Sequence, residues 1–173
     1  MIVRCYPNSD VSSRNLANST ITEQGAKAYV FEGKIYIVGG SSLKHHRTAS
    51  RRVLAFDPAS EAYEAVTEIP ECIVGFGLVV VGDVMYLVGG FRVGRFNHSE
   101  LSNSFLGFDL RRRRWLDNLP ALNCARKSCA CFYDGREAIQ WAFWDLISIP
   151  VQCSMKDTVP WTTELEYYNF KRT

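Results

Sequence analysis

The chain has 173 residues, of which 47% are hydrophobic, 22% charged and 13% aromatic. This composition is apolar enough for a buried core and too mixed for a disordered chain. Its 20 basic residues nearly balance 18 acidic ones, and the net charge of +2 does not favour a dedicated nucleic-acid-binding protein.

The first 24 residues are polar and show no clear period. We interpret residues 1–24 as an N-terminal tail, with a remnant of an earlier repeat as the alternative. The start of the chain lacks the apolar stretch of a signal peptide. The sequence also contains no run of about 20 apolar residues, which a membrane-spanning helix would need. Together with six cysteines, these features favour free thiols and a cytoplasmic or nuclear location.

Residues 25–70 predict a unit of four short strands separated by turn-forming residues. The strands are expected at residues 25–31, 34–38, 52–56 and 63–66. The unit after it, residues 71–120, repeats the plan with strands at residues 75–81, 84–88, 104–108 and 114–117. Each unit closes on an apolar residue followed by proline, at Pro70 and at Pro120.

The two units match in an ordered set of motif residues, and their glycine doublets lie 50 residues apart. The matched positions are Tyr36 and Tyr86, Gly39-Gly40 and Gly89-Gly90, Phe56-Asp57 and Phe108-Asp109, and Tyr63 and Trp115. We expect the glycines to adopt positive φ, where a Cβ would clash. Tyr63 and Trp115 are large amphipathic residues that we expect to cover the seam to a neighbouring unit.

This ordered set resembles the kelch repeat, in which each unit of roughly 50 residues forms one four-stranded blade of a β-propeller. The resemblance implies an all-β, incomplete kelch-type propeller over residues 25–173. Two blades are clear, at residues 25–70 and 71–120, and a third at residues 121–173 diverges. In the third, Trp141-Ala142 stands where the glycine doublet should fall, and a third-strand motif returns late, at residues 165–169.

Strand direction alternates within a blade, so the loops between second and third strands should share one rim with the links between blades. The tight turns should lie on the opposite rim. The candidate partner-binding residues on the first rim are Lys44, Arg47, Arg51, Arg92, Arg95 and His98. Arginine contacts to carboxylates supply the physical reason, and the alternative is that these are ordinary solvated loop residues.

Other clusters are weaker candidates. The run Arg111–Arg114 suggests nuclear import or a phosphate contact, against an ordinary polar turn of the repeat. Cys124, Cys129 and Cys131 lack the second ligand pair of a zinc site, and His45, His46 and His98 with Glu100 do not form a recognisable metal motif. We therefore predict no metal, no cofactor and no enzymatic activity.

What the resemblance implies is a protein-protein interaction module of the substrate-recognition type, as in F-box or BTB kelch adaptors of ubiquitin ligases. Neither helical module is found among these 173 residues. The expected partner carries an acidic segment; the missing blades are expected in cis or by self-association. Two alternatives stay open: a kelch enzyme with a small-molecule or metal site at the propeller axis, and a non-functional truncated propeller.

Overall fold

A computed structural model describes residues 2–4, 12–14, 23–42, 49–94, 99–126, 129–133, 138–142 and 166–168. Every regular element in these ranges is a β-strand. The first half contains β1 (Ile2–Arg4), β2 (Ser12–Arg14), β3 (Glu23–Gln24), β4 (Lys27–Phe31), β5 (Lys34–Val38), β6 (Ser41–Ser42), β7 (Arg52–Asp57) and β8 (Ala62–Glu68). The remainder contains β9 (Ile73–Val74), β10 (Gly77–Val81), β11 (Val84–Val88), β12 (Phe91–Val93), β13 (Ser99–Leu101), β14 (Phe105–Asp109), β15 (Arg114–Trp115), β16 (Cys129–Tyr133), β17 (Ala138–Ala142) and β18 (Glu166–Tyr168).

Two four-stranded antiparallel sheets form the expected blades. The first blade has the order β4-β5-β7-β8 and the second blade the order β10-β11-β14-β15. Tyr36 and Tyr86 occupy equivalent places in the second strands, opposite Tyr29 and Val79 of the first strands. The all-β, propeller-type prediction is therefore confirmed for these two blades.

The divergent unit forms a third sheet of order β16-β17-β18. Its second strand runs through Trp141 and Ala142, where the glycine doublet is absent, and pairs with the first strand in regular register. Strand β18 lies within the late motif predicted for a third strand and pairs with residues 138–140. The predicted remainder of residues 121–173 lies outside the described ranges.

The segment interpreted as an N-terminal tail contains backbone pairing in its described part. Strands β1 and β2 form a two-stranded antiparallel ladder. Strand β3 pairs with β6, which directly follows the first glycine doublet. The boundary at residue 25 stays a prediction. The other residues of the predicted tail lie outside the described ranges.

The glycine doublets adopt the conformation that the sequence predicts. Gly39 and Gly40 have φ of 62° and 101°, and Gly89 and Gly90 have φ of 66° and 105°. A Cβ on Gly39 would lie 3.0 Å from the ring of Phe76, which belongs to the start of the second blade. The first doublet therefore also makes room for a neighbouring blade.

Side chains alternate between the two faces of each blade, and the hydrophobic core divides in the same way. The first cluster joins the first and second blades; its buried members are Val38, Val53, Ile69, Ile73, Phe76, Met85, Leu87, Phe108 and Leu110. The second cluster lies on the other face of the second blade; its buried members are Val79, Tyr86, Val88, Phe105 and Leu122, with Cys131 of the third sheet packed against them. The second blade is thus covered on both faces.

Trp115 covers the seam between the blades as predicted. Its indole Nε1 donates to the Glu68 carbonyl oxygen at 2.9 Å and to Thr67 Oγ1 at 3.2 Å, and both acceptors belong to the first blade. Tyr63, at the matching position of the first blade, packs its ring 4.8 Å from that of Phe56. Its hydroxyl is buried without a hydrogen-bond partner in the part of the chain that the structure describes, and burial raises its pKa.

We expect Gly90→Ala to destabilise the fold far more than Gly82→Ala. Both glycines have positive φ, but a Cβ at Gly90 would lie 2.7 Å from the Val74 carbonyl oxygen, whereas Gly82 has nothing within 4 Å. Left-handed strain alone costs roughly 1–2 kcal/mol, and a clash with backbone should bring the Gly90 variant to about 3 kcal/mol or more. Urea denaturation of the two variants measures the difference; equal midpoints would contradict it.

Candidate functional site at the link rim

Short strand pairs tie the links between blades to the loops between second and third strands. Strand β9, in the link from the first to the second blade, pairs with β12, so that Ile73 lies opposite Arg92. Fifty residues earlier, Glu23 lies opposite Ser42 in the same arrangement. This pairing confirms the predicted shared rim for its described residues, called here the link rim (links plus loops at residues 41–42, 49–51, 69–76, 89–94, 99–104 and 119–126).

Two of the six candidate partner-binding residues, Arg51 and Arg92, lie in described parts of the link rim. The other four, Lys44, Arg47, Arg95 and His98, lie outside the described residues, so their grouping with the first two stays a prediction. His45 and His46, from the metal alternative, also lie outside these residues.

Arg92 is held between two glutamates. Its guanidinium donates to Glu71 Oε2 at 2.9 Å and lies 3.7 Å from Glu100 Oε1. The pKa of Arg92 is raised, first by its hydrogen bond to Glu71 and second by the negative charge of Glu71. The Glu71 side chain is 29% exposed and that of Glu100 is 73% exposed, so the inner pair is tight and the outer pair is loose and open to solvent.

A small network of hydrogen bonds from buried serines holds the Glu71 carboxylate in place. Ser104 Oγ donates to Glu71 Oε2 at 2.7 Å. Ser102 Oγ lies 2.6 Å from Ser104 Oγ and accepts the Ser104 backbone N–H at 3.1 Å. Ser102 and Ser104 are buried, and buried networks with satisfied partners rigidify their surroundings. The orientation of Arg92 is thereby set by the fold of the second blade.

Arg51 has a more structural environment. Its Nε donates to the Ile69 carbonyl oxygen at 2.6 Å, and its guanidinium lies 3.7 Å from Glu68. The side chain thus ties the loop of the first blade to its own fourth strand and link, while remaining 40% exposed. Part of its hydrogen-bonding capacity faces the solvent on the link rim.

Sequence reasoning missed three residues of this rim: Glu71, Ser104 and Arg126. Arg126 joins the rim through its backbone, since its N–H donates to the Ser102 carbonyl oxygen at 3.0 Å and its carbonyl oxygen accepts from Gly90 N–H at 2.7 Å. A usable signal existed for Glu71 and Arg126, because both fall in links between blades, which the predicted topology already placed on this rim.

The opposite rim, called here the turn rim (turns at residues 32–33, 58–61, 82–83 and 110–113), uses the arginine run between blades. Arg111 donates to Asp83 at 2.7 Å and to Glu32 of the first blade at 2.9 Å. Arg113 donates to Glu64 of the first blade at 2.6 Å. Two members of the run therefore bridge the first and second blades.

The rest of the run fits an ordinary turn of the repeat. Asp109 Oδ1 accepts the Arg112 backbone N–H at 2.7 Å, as Asp57 Oδ1 accepts that of Ala59 at 2.8 Å. The last turn residues, Glu61 and Arg113, share positive φ of 54°. The polar-turn interpretation therefore accounts for the conformation of the run, and a role in nuclear import or phosphate binding stays a hypothesis.

Other candidate sites receive no structural support in the described ranges. No group of three metal-ligating side chains occurs there, and no helix there is long and apolar enough to span a membrane. Cys72 and Cys124 carry free thiols. The absence of enzymatic activity stays a prediction.

Comparison with known proteins agrees with this architecture. The chain is 27% identical over 126 residues to the F-box/kelch-repeat protein At5g26960 of Arabidopsis thaliana, a match that covers 66% of this chain and 30% of the relative. It superimposes on the solved structure of YjhT with a TM-score of 0.56 at 13% identity, over 68% of this chain and 44% of that one. No family model matches the chain.

The chain is therefore a partial β-propeller of the kelch type. Its two complete blades and third sheet carry the fold, and the matches show that it spans less than half the length of the proteins it resembles. The likeness to YjhT is one of fold alone at this level of identity.

The ion pair between Arg113 and Glu64 should make the stability pH-dependent. The hydrogen bond from Arg113, and then its charge, holds the pKa of Glu64 below its ordinary value of 4.5. Stability from a lowered carboxyl pKa is present above the unfolded-state value and is lost as the pH falls through the folded-state value. Glu64→Gln should therefore lose less stability than wild type below about pH 4.5.

Thermal unfolding at about pH 7, 4.5 and 3 measures this difference. Asp117→Asn is the matched control, because Asp117 is exposed and lies outside the network. A Glu64→Gln variant whose melting temperature falls in parallel with that of wild type would show that the pair adds nothing.

Proposed function

We propose that this chain is a protein-protein interaction module of the kelch type that binds an acidic or phosphorylated segment of its partner at the link rim. The proposal is carried by one observation. Arg92 is oriented by its hydrogen bond to Glu71, which Ser104 holds in turn, while among the described residues its outer side lies 3.7 Å from the solvent-exposed Glu100.

The geometry suits an exchange of carboxylates. A carboxylate from a partner can replace Glu100 at Arg92 without disturbing the tight pair with Glu71. Oriented guanidinium groups bind carboxylate and phosphate oxygens through short, charge-assisted hydrogen bonds. Such a site is pre-organised, which lowers the entropy lost on binding.

The solvent-facing part of Arg51 and the sequence-predicted Lys44, Arg47, Arg95 and His98 would extend the same surface. Glu68 and Glu71 offset part of this positive charge where they pair with Arg51 and Arg92. We therefore assign recognition to a few placed arginines rather than to a general basic field. A partner would need an acidic group at a defined position.

In the wider context we propose that the chain is the substrate-recognition part of a ubiquitin-ligase adaptor acting in the cytoplasm or nucleus. The named F-box/kelch-repeat relative supports this proposal. The helical recruiting module would have to lie elsewhere in the protein. The missing blades would be supplied in cis or by self-association.

Binding of short fluorescent peptides tests the link rim. The probes are an Asp/Glu-rich decapeptide, a phosphoserine version and a version with Asn/Gln replacing every acidic residue. We expect Arg92→Ala to weaken binding of the first two by about tenfold or more, since one charge-assisted contact contributes roughly 1.5–3 kcal/mol. Glu100→Gln should strengthen binding, because it removes the competing carboxylate.

Arg114→Ala is the control, an exposed arginine that begins strand β15 of the second blade, next to the turn rim. It suits the comparison better than Arg111 or Arg113, which bridge the blades. Equal losses for Arg92→Ala and Arg114→Ala would assign the binding to general charge. No binding of any acidic probe would reject the proposed surface.

A further inference from the structure

The first blade has one face without a neighbour in the described part of the chain. Position by position, this face repeats the face of the second blade that is buried against the first. Its residues, here called the open face, are Val30, Ile35, Ile37, Leu54, Phe56 and Tyr63. Their counterparts in the second blade are Val80, Met85, Leu87, Leu106, Phe108 and Trp115, all packed in or against the first cluster.

Exposure differs at three of the six matching positions of these faces, while Phe56, at 3% exposed, is buried like its counterpart Phe108. Met85 and Leu87 are 0% exposed, whereas Ile35 and Ile37 are only half-buried. Val30 is 61% exposed, the highest value of the large hydrophobic residues described as exposed. Exposed apolar patches of this kind mark interaction surfaces. The open face therefore has the chemistry of a blade seam without the covering blade.

A polar feature of the seam is also incomplete. Trp115 Nε1 donates to the backbone carbonyl of Glu68 on the preceding blade. Tyr63 stands at the matching position of the first blade, and its hydroxyl is buried without a partner among the described residues. An unsatisfied buried hydroxyl is costly. A preceding blade would offer a carbonyl acceptor at this place.

Among the described residues, no further sheet follows the third sheet, which forms the other end of the array. Tyr133 ends the first strand of that sheet, opposite Ala138, as Phe31 and Val81 end theirs opposite Lys34 and Val84. Phe31 and Val81 both pack towards the blade that follows them. Tyr133 occupies the same place and is 41% exposed, so an aromatic side chain of seam type is exposed at the far end of the array.

We propose that two copies of this chain associate head to tail, with the open face of the first blade of each copy against the third sheet of the other. Two copies of three sheets give about six blades, within the four to eight that close a propeller. A head-to-tail contact that closes on itself stops at two copies. The proposal rests on the self-association included in the proposed function and names its surfaces.

Sedimentation equilibrium of the full chain tests the assembly. We expect a mass near twice 19.6 kDa that falls to one copy on dilution. Val30→Lys and Tyr133→Lys should each weaken the dimer at least tenfold, because each places a charge in an apolar seam. Ala62→Lys is the matched control; Ala62 is exposed and occupies the position of Arg114 in the second blade, so it should leave the dimer unchanged.

Mixing the two damaged variants separates this arrangement from misfolding. A mixture of Val30→Lys and Tyr133→Lys retains one intact head-to-tail contact per pair, so dimers should reappear at a concentration at which each variant alone is a single copy. A face-to-face dimer of two first blades would not recover in this way, and failure to recover overturns the proposal. A single-copy mass at all concentrations, or oligomers that keep growing with concentration, also overturns it.

Peptide binding by the Val30→Lys variant distinguishes a failure of the proposed dimer from a failure of the proposed binding site at the link rim. The substitution lies on the open face, away from Arg92. A monomeric wild-type chain that still binds acidic peptides would reject the dimer and retain the link-rim proposal.

Discussion

The structure depends on the burial of apolar side chains between neighbouring blades. A single four-stranded sheet has two faces and cannot cover either of them by itself. The second blade is covered on both faces, with Met85 and Leu87 towards the first blade and Tyr86 and Val88 towards the third sheet. Fully burying a large apolar side chain contributes roughly 1.5–3 kcal/mol, and the exposed ion pairs of the turn rim are screened by water and salt. These pairs fix how the blades meet, while the clusters supply the stability.

The repeat could be read from the sequence because both units place the same residue types at the same structural positions. The glycine doublets predicted positive φ, and the aromatic-Asp pairs predicted the turns before the fourth strands. Trp115 was predicted at the seam and lies there. Even the third sheet followed, since the late motif at residues 165–169 contains the observed strand β18. Strand and turn residues recur at fixed spacing, so the repeat can be recognised although the loops of the two units differ in sequence.

The link rim was predictable only in outline. Chain topology placed the loops and links on one side, but it did not reveal which carboxylate meets which arginine. Glu71 reaches Arg92 across 21 residues and Ser104 reaches Glu71 across 33, and such pairings depend on side-chain conformation rather than on period. The sequence therefore overstated the free positive charge of this rim, because Arg51 and Arg92 already have acidic neighbours.

Those pairings also bear on the kind of recognition that we propose for the rim. An arginine alone in solvent attracts any anion weakly and loses side-chain entropy on binding. Arg92 is held by a glutamate that buried serines fix in turn, so less entropy remains to be lost and the direction of its free N–H groups is set. The same arrangement explains why Glu100 matters for the proposed binding: Glu71 already balances the charge of Arg92, so a partner's acidic group would have to replace the loosely held Glu100. The recognition proposed for the link rim would thus depend on the seam, because Glu71 belongs to the link that the packing of the first blade against the second holds in place.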